Sequence, residues 1–348
     1  MTWKDLARQL VPPALWKVAA KMWRRYRMGG SVVSSQAVDL QPIPRRCGIS
    51  DLSELLGKIK QVLAVSGAEQ QLIGLSQLFY KIDASTLQKL DPFESPYKEQ
   101  VLAIYQAISG NKYYDPMVME RTDATDVFDS ARCPIPYRFS ESRLVGEYLS
   151  CYGHILRTLD VKAGADVLEY GPGEGQLSIH LARLGCNVHA VDIERRFLDS
   201  IQRQCNALGI SIATQVGRFG DGVADKKFDR VVFFEAFHHC FDHQDALMRI
   251  RDLLKPGGFI CFSGEPILSD QVPDRAEVLP YPWGLRLDGE AIRSIAEFGW
   301  MELGYSEDYF VELLGRCGYS VECVRCPGVW RGDAYIARPL RQSLSDRT

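Results

Sequence analysis

The sequence predicts an α/β protein, with a doubly wound, mostly parallel sheet preceded by a helical N-terminal region. Two patterns carry this. From about Gly164 onward, short apolar strand runs alternate with helical periodicity, as in β–α units whose sheet is covered by helices on both faces. Between Asp51 and about Gly110, apolar residues instead recur every three or four positions. Composition agrees with a globular chain: 348 residues, 46% hydrophobic and 24% charged. No run of roughly 18 apolar residues is present to cross a bilayer. The net charge of −3 gives no pull toward nucleic acid, and no nucleic-acid partner is expected. Ten scattered cysteines read as reduced thiols in a cytoplasmic protein.

Charge is concentrated at the start. Lys4, Arg8, Lys17, Lys21, Arg24, Arg25 and Arg27 face Asp5 alone within residues 1–28, with Trp3, Trp16 and Trp23 among them. A basic, Trp-rich amphipathic segment suits peripheral contact with an anionic membrane. The alternative is packing on the protein's own body or on a second subunit, and the oligomeric state is not legible. Pro12, Pro13 and the lysines break the apolar run, so a signal peptide is not expected. Residues 29–49 read as a linker.

Residues 50–144 read as a helical cap and lid. Ser50 is the expected cap of a helix through Leu52, Leu55, Leu56, Ile59 and Leu63. Leu72 to Phe79 forms a second helix and Val101 to Ile108 a third. Residues 111–140, polar and aromatic without periodicity, form a candidate lid or binding loop.

The α/β region follows at 145–338, with 339–348 as a tail. Strands are expected at Ala165–Tyr170, Val188–Val191, Ile210–Val216, Arg230–Phe234 and Phe259–Ser263. Helices are expected from Leu177 to Leu184, from Phe197 to Leu208, at Ala246–Leu254 and at Phe310–Gly315. Ser320–Val324 and Asp333–Ala337 resemble a closing hairpin.

The decisive motif is V-L-E-Y-G-P-G-E-G (167–175), after one strand and before a helix. Gly171, Gly173 and Gly175 allow a sharp turn and close approach of backbone to a ligand. Asp192 ends the next strand, where a carboxylate accepts both hydroxyls of a ribose. A dinucleotide site would need its third glycine at Gln176. Glu169, ahead of the loop, suits an ammonium-bearing ligand better than a pyrophosphate.

These residues resemble class I S-adenosylmethionine-dependent methyltransferases. F-D-R-V-V-F-F-E-A-F-H-H (228–239) and L-L-K-P-G-G (253–258) support the resemblance, which covers roughly residues 145–338. It implies a seven-stranded sheet with S-adenosylmethionine as cofactor. The loop at Gly171 and Gly173 would hold its methionine part, Asp192 its ribose, and Ile193 its adenine. Arg218 stands where the family often has an acid for the adenine amino group, and Asp221 is assigned that contact. N-K-Y-Y-D-P (111–116), G-E-P-I (264–267), P-Y-P-W-G-L-R-L-D-G (280–289) and G-W-M-E-L-G-Y (299–305) also resemble a narrower bacterial group associated with surface-polysaccharide assembly.

Methyl transfer needs alignment of acceptor, methyl and sulfur, and a hydroxyl acceptor must lose a proton. His238 and His239, just past the fourth strand of the core, are the candidate bases. Glu235 and Glu265, at the ends of the fourth and fifth core strands, either orient the histidine or bind acceptor hydroxyls, or simply bond local backbone amides; Glu265 is assigned to catalysis and Glu235 to the cofactor. Residues 270–305 read as an acceptor-binding insertion, with Tyr281, Trp283, Arg286 and Trp300 as contacts beside Asp288 and Glu302. The alternative for Trp283 and Trp300 is a core role. His239, Asp242 and His243 share a helix face, but Asp242 serves equally as a cap, and no metal is assigned. Cys323 and Cys326 read as structural thiols, and His154, His180 and His189 as structural histidines.

The expected function is O-methylation of a sugar or glycolipid precursor in the cytoplasm, at the inner membrane face. Alternatives are a quinone or natural-product hydroxyl as acceptor, or a cofactor-binding scaffold without catalysis.

Overall fold

The computed structural model describes residues 46–65, 67–121, 134–135, 141–223, 226–269 and 275–340. The basic segment 1–28 and most of the expected linker and tail lie outside them, as does much of the stretch between 122 and 140. The chain opens with β1 (Cys47–Ile49), α1 (Leu52–Leu63), α2 (Ala68–Ser76) and β2 (Leu78–Tyr80). Asp51, rather than Ser50, caps α1 by accepting from the Glu54 amide at 2.7 Å. Two expectations fail here. Residues 47–49 belong to a strand rather than a linker, and the second helix stops before Leu78. The two short segments pair in parallel, and the Tyr80 amide donates to the Leu287 carbonyl at 2.7 Å. Three-residue strands of this kind are fixed by distant partners rather than by local propensity.

Next come α3 (Ser95–Ser109) and α4 (Pro116–Met119). Gly110 ends α3 at φ 73°, and Asp115 caps α4 with Pro116 at its first position. The α/β core comprises α5 (Ser142–Leu159), β3 (Asp166–Tyr170), α6 (Gln176–Arg183), β4 (Asn187–Asp192), α7 (Arg195–Leu208), β5 (Ala213–Val216), β6 (Phe228–Phe234), α8 (His243–Arg251) and β7 (Leu254–Ser263). An excursion follows: β8 (Ile267–Leu268), α9 (Arg275–Val278), β9 (Trp283–Leu285), α10 (Gly289–Phe298) and β10 (Leu303–Ser306). The described residues close with α11 (Glu307–Arg316), β11 (Tyr319–Val324) and β12 (Ala334–Pro339).

The main sheet has seven strands in the order β11-β12-β7-β6-β3-β4-β5. β12 runs antiparallel to both its neighbours; β7, β6, β3, β4 and β5 are parallel. Chain order reverses between β3 and β6. The carboxyl ends of these two strands flank the crevice where open α/β sheets bind ligands.

The excursion is ordered structure rather than a set of loops. Its strands form a small sheet, β8-β10-β9, while α10 packs on α1, α2 and α3. Asp288 caps α10 by accepting from the Ala291 amide at 3.1 Å. Trp283 is fully buried, with its Nε1 donating to the Pro92 carbonyl at 2.8 Å. The Tyr97 hydroxyl donates to the Trp283 carbonyl and that of Tyr105 to the Gly299 carbonyl, each at 2.6 Å. Tyr281 is buried as well, its hydroxyl turned back on the Leu285 carbonyl. Trp283 is therefore a core anchor that joins the excursion to the N-terminal helical region, and Tyr281 is buried within the excursion, which corrects their expected role in acceptor binding.

Candidate functional site

The loop after β3 is shaped by its glycines. Gly171 sits at φ 64°, and a Cβ there would stand 2.7 Å from the Ala236 Cβ at the end of β6. Gly173 (φ 52°) has no atom within 4 Å of where its Cβ would be, so this backbone borders open space. Gly175 acts differently: its Cβ would meet Ile201 at 2.5 Å, so its role is close packing of the α6 start on α7. It is not on the cavity wall, and neither is Glu169. Glu169 is buried and accepts a short hydrogen bond from the Ser178 hydroxyl. Burial pushes its pKa up to about 7. Both had been expected to touch the cofactor.

A cavity of about 450 Å³ opens beside the loop. Gly171, Gly173, Asp192, Ile193, Phe197, Phe219 and Asp221 are on its wall. Asp192, at the end of β4, accepts from the Glu194 amide at 2.8 Å, and burial raises its pKa to about 7. Asp221 accepts from the Arg218 amide at 2.8 Å. Glu235 also lies on the wall, in the left-handed region at φ 50°. Arg331 (2.7 Å) and the Tyr148 hydroxyl (3.1 Å) hold its carboxylate.

A turn at Phe237–His239, just after β6, borders the same cavity through His239. Glu265, beyond the end of β7, organises it. Its carboxylate accepts from the amides of Ala236 (3.0 Å), Phe237 (2.9 Å) and His238 (3.0 Å), and lies 2.9 Å from His238 Nδ1. With these partners and no place on the cavity wall, Glu265 positions the turn and is not a catalytic group. His238 is also off the wall; His239 is on it. The two rings lie side by side, with centroids 4.2 Å apart.

His239 Nδ1 is 3.1 Å from Oε2 of Glu120, which the chain supplies just after α4. Oε1 of Glu120 accepts from the Tyr114 hydroxyl at 2.8 Å and the Met301 amide at 2.6 Å. Burial opposes protonation of His239, but the carboxylates of Glu120, Glu302 and Glu265 outweigh it and raise its pKa to about 9. Burial likewise opposes ionisation of Glu302. Arg286 and the two histidines reverse that and bring it down to about 2. Arg286 donates to Glu302 at 2.8 Å and lies 3.5 Å from Asp288; it is not on the cavity wall, which corrects its expected acceptor role. Trp300 does line the cavity, edge-on to His239 at 6.3 Å. His243 is buried between the Tyr309 hydroxyl (2.8 Å) and the Cys240 carbonyl (3.2 Å), so it does not join His239 and Asp242 in a shared site. Cys323 and Cys326 are free thiols.

A family model described as a methyltransferase domain matches residues 168–262. These residues form a methyltransferase domain. Its cofactor is S-adenosylmethionine. Over 103 residues, 29% of this chain, the sequence is 32% identical to a ubiquinone biosynthesis O-methyltransferase of Shewanella sp. (strain ANA-3). It is 30% identical over 133 residues, 37% of this chain, to an uncharacterized methyltransferase of Geobacillus sp. (strain WCH70). The chain spans 43% and 61% of those two relatives, respectively. A solved magnesium protoporphyrin IX methyltransferase from Synechocystis PCC 6803 aligns at a TM-score of 0.45 and 16% identity, covering 65% of this chain and 97% of that one.

The methyltransferase domain's residues fit that cofactor. The open face at Gly173 leaves room for close approach, and the Asp192 carboxylate borders the same space. Gly171, Gly173, Asp192, Ile193, Asp221 and Glu235 would hold it. When bound, S-adenosylmethionine supplies an electrophilic methyl group on a sulfonium. Glu120 was not singled out from the sequence. The only signal was its place in the aperiodic stretch after Y-Y-D-P, where Asp-Pro begins a short helix.

Proposed function

We propose that the chain methylates a hydroxyl oxygen of a small acceptor at the expense of S-adenosylmethionine, the acceptor being a sugar or glycolipid precursor. The single observation that supports this best is one cavity lined by Gly173 and Asp192 together with His239, Glu120 and Trp300. His239 lies on this wall beside Glu120; with its pKa raised to about 9, only its neutral fraction could take a proton from an acceptor hydroxyl, so turnover should rise with pH toward 9. The side-chain carboxylates of Asp242 and Asp245 and the flat ring of Trp300 on the same wall suit a polyhydroxylated acceptor. In this reading residues 145–338 carry out the transfer and 50–144 cap them. The basic segment 1–28 would make peripheral contact with an anionic membrane, which liposome co-sedimentation with and without it tests.

A second reading, an aromatic or quinol hydroxyl as acceptor, is favoured by Tyr114 and Phe241 on the wall and by the ubiquinone-pathway relatives. An acceptor screen by mass spectrometry with the full chain separates the two. Methylated nucleotide sugars or glycolipids support the first, and methylated catechols the second. No product from either set, with S-adenosylmethionine bound, would favour a scaffold without turnover.

A further inference from the structure

Both imidazoles of the turn after β6 have a carboxylate beside Nδ1, hydrogen-bonded in His238 and within ion-pair distance only in His239. His238 Nδ1 faces Glu265 at 2.9 Å, and His239 Nδ1 faces Glu120 at 3.1 Å. A carboxylate behind one ring nitrogen fixes the tautomer and leaves Nε2 as an electron-pair donor, the orientation common to metal-bound histidines. Glu302 Oε2 is 3.8 Å from His238 Nε2, too far for a hydrogen bond. One ligand atom from each of His238, His239 and Glu302 lies within 4.8 Å of the others. Donors about 2.1 Å from a shared tetrahedral ion stand ~3.4 Å apart, so the three would have to close by up to about 1.4 Å to share one. Arg286 donates at 2.8 Å to the same Oε2 of Glu302 that faces His238, so the carboxylate would have to turn or share that oxygen with the ion.

We infer that His238, His239 and Glu302 hold a divalent metal ion of the zinc, cobalt or iron class through two imidazole nitrogens and one carboxylate oxygen. That donor set suits these ions better than calcium or magnesium, which prefer oxygen ligands alone. Three protein ligands leave coordination positions open. Because His239 is on the cavity wall, the ion would border the cavity and polarise an acceptor oxygen. The inference deepens the methyl-transfer reading and rests on it for the identity of that oxygen. With the ion bound, His239 is a ligand rather than the proton acceptor.

The test uses the full-length chain, stripped with a chelator and titrated with Co²⁺, followed by visible absorption and proton NMR. The expected result is one Co²⁺ per chain, with visible bands that Zn²⁺ abolishes. Two strongly shifted, solvent-exchangeable N–H signals should appear, one from each Nδ1–H. Glu302→Gln and His238→Gln should each weaken Co²⁺ binding at least about tenfold while leaving S-adenosylhomocysteine bound. Wild-type protein without visible bands, or with fewer than two shifted exchangeable signals, overturns the inference. Equal Co²⁺ affinity in the folded variants overturns it too, since the ion would then lie elsewhere. If a variant loses S-adenosylhomocysteine binding, the wild-type signal count decides. Failure of the methyl-transfer reading would show separately, as no cofactor binding with the Co²⁺ result intact.

Discussion

Glu120 and His239 meet at 3.1 Å although they come from distant parts of the chain, one from the aperiodic stretch after α3 and the other from the turn after β6. Three hydrogen bonds and contacts fix Glu120 there: the Tyr114 hydroxyl, the Met301 amide and the imidazole itself. The N-terminal stretch, the excursion and the α/β core therefore each contribute to one site.

That relationship predicts the effect of Glu120→Gln. Removing the nearest negative charge should lower the His239 pKa from about 9 toward the ordinary histidine range of ~6.5 in chelator-treated protein. NMR titration of the ring checks this. Turnover should fall at least about tenfold with cofactor affinity unchanged. An unmoved His239 titration would contradict the assignment of Glu120 as its main partner.

Asp192 makes cofactor binding depend on pH. Burial holds its pKa at about 7, so much of it is protonated in neutral ligand-free protein. Ribose hydroxyls donate to the ionised form, and binding should therefore release a proton. Affinity for S-adenosylmethionine should rise about tenfold between roughly pH 6 and pH 8. Calorimetry in buffers of different ionisation heat measures both effects.

Glu169 opposes folding at high pH. Its folded pKa of about 7 lies above the 4.5 of a free glutamate side chain, so its contribution is most favourable below 4.5 and is lost as pH rises through 7. The loss is on the order of 3 kcal/mol at most. Glu169→Gln should gain stability relative to wild type as pH rises from about 5 to 8, measured by urea unfolding. A difference independent of pH would contradict the buried, protonated carboxyl.

The two tryptophans of the excursion should separate cleanly. Trp283→Ala removes a fully buried anchor and should cost about 3–5 kcal/mol of stability. Trp300→Ala, at the cavity wall, should raise KM for the acceptor with little change in Tm. Denaturation curves and steady-state kinetics on both variants check this pair.

The glycine loop, Asp192 and the alternation of strands and helices were legible because each is a local pattern with a direct physical cause. The seventh strand's antiparallel pairing was visible in the same way, as a hairpin. What escaped were groups defined by partners far along the chain. Trp283 and Tyr281 look like ligand contacts in a polar stretch, and only the bonds of Trp283 to Tyr97 and Pro92 and of Tyr281 to Leu285 show them as core. Arg286 looks available until Glu302 is seen beside it. The helix α10 did carry a signal, Asp288 before Ile292 and Ile295 and Gly299 behind, which its place in an expected insertion obscured.

The most direct measurement is calorimetric titration of the full chain with S-adenosylmethionine and S-adenosylhomocysteine, repeated for Asp192→Ala. The account predicts micromolar binding of both by wild type and a loss of at least about tenfold in the variant. Absence of binding to wild type, or equal binding by a folded Asp192→Ala protein, would contradict it.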